Sequence, residues 1–213
     1  NARILFSFLS LTSCSLPVSA RTISVSGTLN ESITWAYDTV KVTGDIKVMP
    51  GTTLTINPST YVEFQGHYKI KVAGAIRAVG TPNDSIIFTI RDTTGFWQST
   101  YDVTGGWGGI ILSGSSLPAD TSVFEYCRMQ YAKKYDTAGL DIKGGAIMAS
   151  DYKALIIKNC CFRYNMVINH EYGSYNDSAS QGGAVYCTNV NYTLIASSRF
   201  ERNRSHDAGG AIW

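Results

Sequence analysis

The sequence predicts an all-β chain wound as a single-stranded, right-handed parallel β-helix, and three observations predict it. Short apolar–polar alternations follow one another from residue 21 onward, each only a few residues long. Turn residues separate them about every eight residues, too closely for helical crossovers. In the second half a motif returns in fixed register, as a stacked coil requires.

The elements can be justified in order. Residues 1–20 form a separate region, with Arg3 ahead of the apolar run Ile4–Leu11 and the small residues Val18-Ser19-Ala20 behind it. This is the pattern of a secretory signal cleaved before Arg21, without an initiator Met, and it is too short to span a membrane. Leu11-Thr12-Ser13-Cys14 also fits a lipoprotein box in which Cys14 carries the lipid. Both readings place the remainder outside the cytoplasm, secreted or at the cell surface or outer membrane.

From residue 21 to 213 the chain reads as one domain. Ile23 and Val25, Val40 and Val42, Ile46 and Val48, Leu54 and Ile56, Val62 and Phe64, and Ile70 and Val72 each alternate as a half-buried strand does. Thr43-Gly44-Asp45, Met49-Pro50-Gly51, Asn57-Pro58-Ser59 and Gln65-Gly66-His67 are the turns between them. Taken alone, these segments suit an antiparallel sandwich as well as a parallel coil.

The repeat in 144–213 decides for the coil. Gly144-Gly145-Ala146-Ile147 returns as Gly182-Gly183-Ala184-Val185 and as Gly209-Gly210-Ala211-Ile212. Phe162-Arg163-Tyr164-Asn165 returns as Phe200-Glu201-Arg202-Asn203 at the same distance from its Gly-Gly. The return to the next Gly-Gly is longer in the first unit, by the insertion Asn169–Ala179. Extended backward, the register puts Met129, Phe162 and Phe200 in one column, and Cys127, Cys160 and Ser198 in another. Gly-Gly permits a corner at positive φ, Phe over Phe fills the bore, and Asn can bond to the next rung. The chain stops at Trp213 within the third unit, from which further rungs beyond it are expected.

The Gly-Gly-Ala-Ile and Phe-x-x-Asn pair resembles the repeat of polymorphic outer-membrane proteins. Gly51-Thr52-Thr53-Leu54-Thr55-Ile56 with Val62–Gly66, and Ile76–Thr81 with Ile86–Thr89, resemble secreted, pectin-lyase-like β-helix proteins of Bacteroidetes. The resemblance covers most of residues 41–213. It implies the fold and export, whereas the activity is left open between lyases, hydrolases, adhesins and stalks.

Chemistry is sparse. A net charge of +2 with 16% charged residues gives no field for nucleic acid, and Arg199, Arg202 and Arg204, interrupted by Glu201, read as a solvated turn. The cysteines match no zinc spacing, Asp120, Asp141, Asp151 and Asp207 are isolated, and no Asp-Asp pair occurs. No cofactor, metal site or catalytic set is therefore assigned. His170 and His206 follow Phe-x-x-Asn corners and are read either as an acid–base pair on one edge or as exposed turn residues. Tyr172, Tyr175 and Asn176 in the insertion are read as a sugar-binding loop or a solvated one. Trp97, Tyr101 and Trp107 form a second aromatic set, with Trp107 expected in the core. The expectation is an exported, non-enzymatic scaffold, an adhesin, passenger or glycan binder, whose partner is a polysaccharide or a cell-surface glycan. The alternative is a carbohydrate-active enzyme, a polysaccharide lyase or glycoside hydrolase.

Overall fold

A computed structural model describes residues 20–98, 102–114, 121–136, 143–169, 180–206 and 208–213. The described residues contain eighteen strands and no helix. In order these are β1 (Thr22–Leu29), β2 (Ile33–Trp35), β3 (Thr39–Val48), β4 (Thr53–Ile56), β5 (Tyr61–Phe64), β6 (Ile70–Val72), β7 (Ala75–Val79), β8 (Ile86–Ile90) and β9 (Ile110–Ser113). There follow β10 (Thr121–Glu125), β11 (Cys127–Gln130), β12 (Lys133–Asp136), β13 (Ile147–Lys158), β14 (Cys161–Arg163), β15 (Met166–Asn169), β16 (Val185–Ala196), β17 (Arg199–Glu201) and β18 (Arg204–Ser205).

Each named strand pair is parallel, so the antiparallel sandwich is excluded and the chain is an all-β parallel β-helix. Three walls result. The first stacks the leading halves of β1 and β3, then β5, β8, β11, β14 and β17. The second stacks the trailing halves of β1 and β3, then β6, β9 and the leading halves of β13 and β16. The third stacks β2, β4, β7, β10 and the trailing halves of β13 and β16. A short ladder of β12, β15 and β18 follows the first wall. Because β3, β13 and β16 bend around corners without breaking, the walls belong to one fifteen-stranded sheet. Thr43-Gly44-Asp45 is thus a bend inside β3 rather than a turn between strands.

Alternation puts every second side chain into the bore, as the burial of β4 and β5 shows. Register then places like upon like. Val40, Val62, Phe88, Met129, Phe162 and Phe200 form one continuous column. Phe162 and Phe200 stack with centroids 4.9 Å apart and planes 5° from parallel. Trp107 is buried as expected, stacked on Phe64 at 4.4 Å, and its indole N–H donates to the Gln130 carbonyl at 2.8 Å. Burying an aromatic side chain of this kind contributes about 1.5–3 kcal/mol.

The corners explain the motifs. Gly144, Gly182 and Gly209 have φ of 59°, 65° and 59°. A Cβ on Gly145 would lie 2.3 Å from the Gly183 carbonyl oxygen, so the two glycines are needed for different reasons. The asparagines bond between rungs, with the backbone of the rung before rather than the rung after, and they are not themselves left-handed. It is Tyr131, Tyr164 and Arg202, at φ 60°, 56° and 51°, that take the left-handed conformation, each just before residues 132, 165 and 203. Asn165 Oδ1 accepts from the Ala132 N–H, and Asn203 Oδ1 from the Asn165 N–H, both at 3.0 Å. Each Asn also donates Nδ2 to a carbonyl, Met129 for Asn165 and Phe162 for Asn203, again at 3.0 Å.

The Cys column works the same way. Tyr126, Asn159 and Ser197 are left-handed, at φ 49°, 52° and 49°. Cys160 Sγ accepts from the Cys127 N–H at 3.4 Å, and Ser198 Oγ from the Cys160 N–H at 3.2 Å. Cys127, Cys160, Cys161 and Cys187 are free thiols. Burial pushes the Cys127 thiol well above its usual range, and that of Cys187 up to about 11. The column is therefore a set of caps for amides that leave the ladder.

Candidate functional site

The first wall points half its side chains outward, and its rungs lie about 4.8 Å apart. In the early rungs the outward row pairs Lys41 with Glu63, so charge alternates. In the late rungs Arg128, Cys161 and Arg199 share one row, and Gln130, Arg163 and Glu201 the next. Arg199 and Glu201 form an exposed ion pair with N–O 2.9 Å. Arg128 forms no ion pair among the described residues.

At the edge of this wall the left-handed corner displays Tyr131, Tyr164 and Arg202 on successive rungs. Tyr131 and Tyr164 stack at 5.3 Å with planes 19° apart. The Arg163 guanidinium lies 4.6 Å from the Tyr164 ring centre, and that of Arg202 lies 5.8 Å away. Arg202 Nη1 donates to the Tyr164 hydroxyl at 3.3 Å. Hydrogen bonding to Arg163, with the nearby Arg202 charge adding to it, holds the Tyr164 phenol below its usual range.

A loop from another rung completes the surface. Residues 91–98, which follow β8, fold over β12 so that Phe96 is buried and Trp97 stays 53% exposed. Trp97 meets the Tyr164 ring edge-on at 5.8 Å, and Phe96 meets Tyr131 edge-on at 5.3 Å. Lys133 pins this loop. Its side chain is fully buried, and Nζ donates to the carbonyls of Phe96 at 3.2 Å and Thr104 at 3.1 Å, with the Asp102 carboxylate 3.8 Å away. Burial lowers the Lys133 pKa, and Asp102 opposes that shift.

The same loop forms one wall of a cleft of about 260 Å³ lined by Gln65, His67, Arg91, Asp92 and Gly106 among others. His67 Nδ1 donates to the Gly106 carbonyl at 3.0 Å, which leaves Nε2 as the acceptor nitrogen. Desolvation is the main cause of its lowered pKa, so the ring is neutral at neutral pH. Arg91 Nη1 donates to Gln65 Oε1 at 3.4 Å, and Gln65 Nε2 donates to Glu63 Oε1 at 2.7 Å.

Of the residues singled out from sequence, Tyr172, Tyr175, Asn176 and His170 lie outside the described residues, as do Tyr101 and Cys14. His206 is exposed just past β18, where its N–H donates to the Val167 carbonyl at 3.2 Å. Sequence reasoning set Trp97 beside Trp107, but the fold separates them, Trp107 into the bore and Trp97 onto Tyr164. It missed Tyr131, Tyr164, Arg128 and Arg163. The signal that finds the first two is the repeat offset, since they follow Met129 and Phe162 at the same interval as Arg202 follows Phe200. Among the described residues no group of three His, Cys, Asp or Glu side chains could hold a metal ion, and no helix is long and apolar enough to cross a membrane. Set against protein-family models, curated proteins and solved structures, the chain matches none of them.

Proposed function

We propose that the chain is an exported or cell-surface scaffold, an adhesin or passenger, that binds a glycan on its first wall without transforming it. The observation that carries this reading is the aromatic surface of Trp97, Tyr131 and Tyr164, built from three different rungs on a rigid wall. Aromatic faces with polar neighbours suit sugar rings, which offer C–H faces to stack and hydroxyls to bond. The test is a panel of polysaccharides followed by both Trp fluorescence and reducing-end release. Binding that changes the fluorescence without product is expected. Product release by the purified chain overturns the non-enzymatic reading.

A second reading, a polysaccharide lyase or glycoside hydrolase, draws on the cleft. It joins a neutral His67 with an acceptor Nε2 to the Arg91 guanidinium and the Asp92 carboxylate. If products form, H67Q should abolish them while leaving binding at Trp97 intact. Full activity in H67Q rules out the cleft as their source.

A further inference from the structure

We infer that the ligand of the first wall is an anionic polysaccharide, carrying carboxylate or sulfate groups along its length and lying along the stack of rungs over Arg128, Arg163 and Arg202. This rests on the glycan-binding reading and adds to it the ligand's charge.

Three observations converge. First, the late rungs of the wall and its corner present Arg128, Arg163, Arg199 and Arg202 against a single carboxylate, Glu201, which is committed to Arg199. The chain as a whole has a net charge of only +2, and the early rungs of the same wall alternate Lys41 with Glu63. The positive field is therefore a local feature of the aromatic end. Second, two of the four guanidinium groups are held in place before any ligand arrives. Arg163 lies over the Tyr164 ring, and Arg202 is bonded to its hydroxyl. A long side chain already ordered loses less entropy on binding. Third, the residue type suits the ligand. A guanidinium presents a planar fork of donors that matches carboxylate and sulfate oxygens bidentately, and the exposed Trp97 indole beside it offers a face to the sugar rings between those anions.

The order along the stack is also informative. Arg128, Arg163 and Arg202 belong to three consecutive rungs and step diagonally toward the corner, since Arg163 lies beside Gln130 and not beside Arg128, so a bound chain crosses strands obliquely and meets one cation per rung. A single phosphate or small anion would use one of these positions and leave the others idle. Nucleic acid, which shares the charge and can stack on the same rings, is disfavoured by the modest overall charge and by the engagement of Arg199 with Glu201.

The experiment is isothermal calorimetry of the full chain with polygalacturonate, dextran sulfate, neutral dextran and single-stranded DNA, at two salt concentrations. The variants are Trp97→Ala, Arg128→Gln and the double variant Arg163→Gln/Arg202→Gln. Binding of one or both acidic polymers, weakened by salt and by about tenfold for each arginine removed, is expected. Preference between the two acidic polymers tells carboxylate from sulfate. R128Q is the safeguard, because the exposed Arg128 side chain forms no ion pair among the described residues and its loss leaves the Tyr164 corner intact. Equal affinity for neutral dextran, or unchanged affinity in both arginine variants, overturns the inference while the glycan reading stands. Binding of no glycan at all, with the chain folded, overturns both. DNA bound more tightly than every glycan overturns the inference in favour of a nucleic-acid ligand.

Discussion

The rungs before residue 80 and those after residue 126 share one architecture and differ in what their corners carry. In the column of Val40, Val62, Phe88, Met129 and Phe162 the early rungs contribute valines, with Trp35 and Phe64 buried elsewhere in the bore, and their turns are tight and rich in Gly and Pro. The late rungs fill the bore with Met129 and Phe162, and hold their corners with bulky residues at positive φ. A non-glycine residue there costs on the order of 1–3 kcal/mol. That cost is tolerated because a side chain from the next rung caps the following amide, as Asn165 does for Ala132 and Asn203 does for Asn165. The difference shows where this fold spends stability on display. Only the late corners set large side chains, Tyr131, Tyr164 and Arg202, on the outside in register.

The contrast can be tested by substitution. Phe162→Ala should cost roughly 3–5 kcal/mol, read as a fall in the urea midpoint at constant slope. Val40→Ala, in the valine part of the same column, should cost about 2 kcal/mol, since fewer buried carbon atoms are removed. Equal losses would mean that the bore is energetically uniform and the contrast superficial.

Asn165→Ala should come next in size. Asn165 is fully buried, and its loss strands the Ala132 N–H and the Met129 carbonyl at about 1–3 kcal/mol. Hydrogen exchange at the Ala132 amide should accelerate along with the loss in stability. Unchanged protection there would show that the cap does not hold the corner.

The smallest effect concerns His67, at the junction of the two halves. Its folded pKa lies below 6.5, so above pH 6.5 both states are neutral and its contribution is complete. As pH falls from 6.5 toward the folded pKa, the unfolded chain takes up the proton first and stability is lost. His67→Gln should flatten that part of the stability–pH curve. A slope of the same size in the variant would assign the dependence to other groups.

Much of the fold was legible in the sequence because alternation and register are local or periodic signals. Val40 with Val42 and Leu54 with Ile56 report their wall within a few residues, and Met129, Phe162 and Phe200 report their stacking through the repeat. The site was less legible, for two physical reasons. Tyr131 and Tyr164 lie in the repeat, but their outward direction follows from the left-handed conformation of the residue before a capped amide, which composition does not reveal. The loop that brings Trp97 to Tyr164 is fastened by Lys133. Lys133 and Lys134 are both buried, and Lys134 Nζ donates to the Lys143 carbonyl at 2.9 Å. A buried lysine satisfied by carbonyls from distant loops leaves no mark in its own neighbourhood of sequence.

The unbroken passage of β3, β13 and β16 around their corners has a mechanical meaning. The inter-rung hydrogen bonds run along the axis of the stack, so every rung boundary carries the same tension and the end rungs, held by a neighbour on one side only, yield first. Yielding then proceeds by peeling, one rung at a time. The rung between Cys160 and Ser198, 38 residues apart, releases a large length of slack when it goes, on the order of 3.3–3.6 Å for each residue freed. A tether built this way lengthens in steps under load while the rungs still wound keep their outward faces in register.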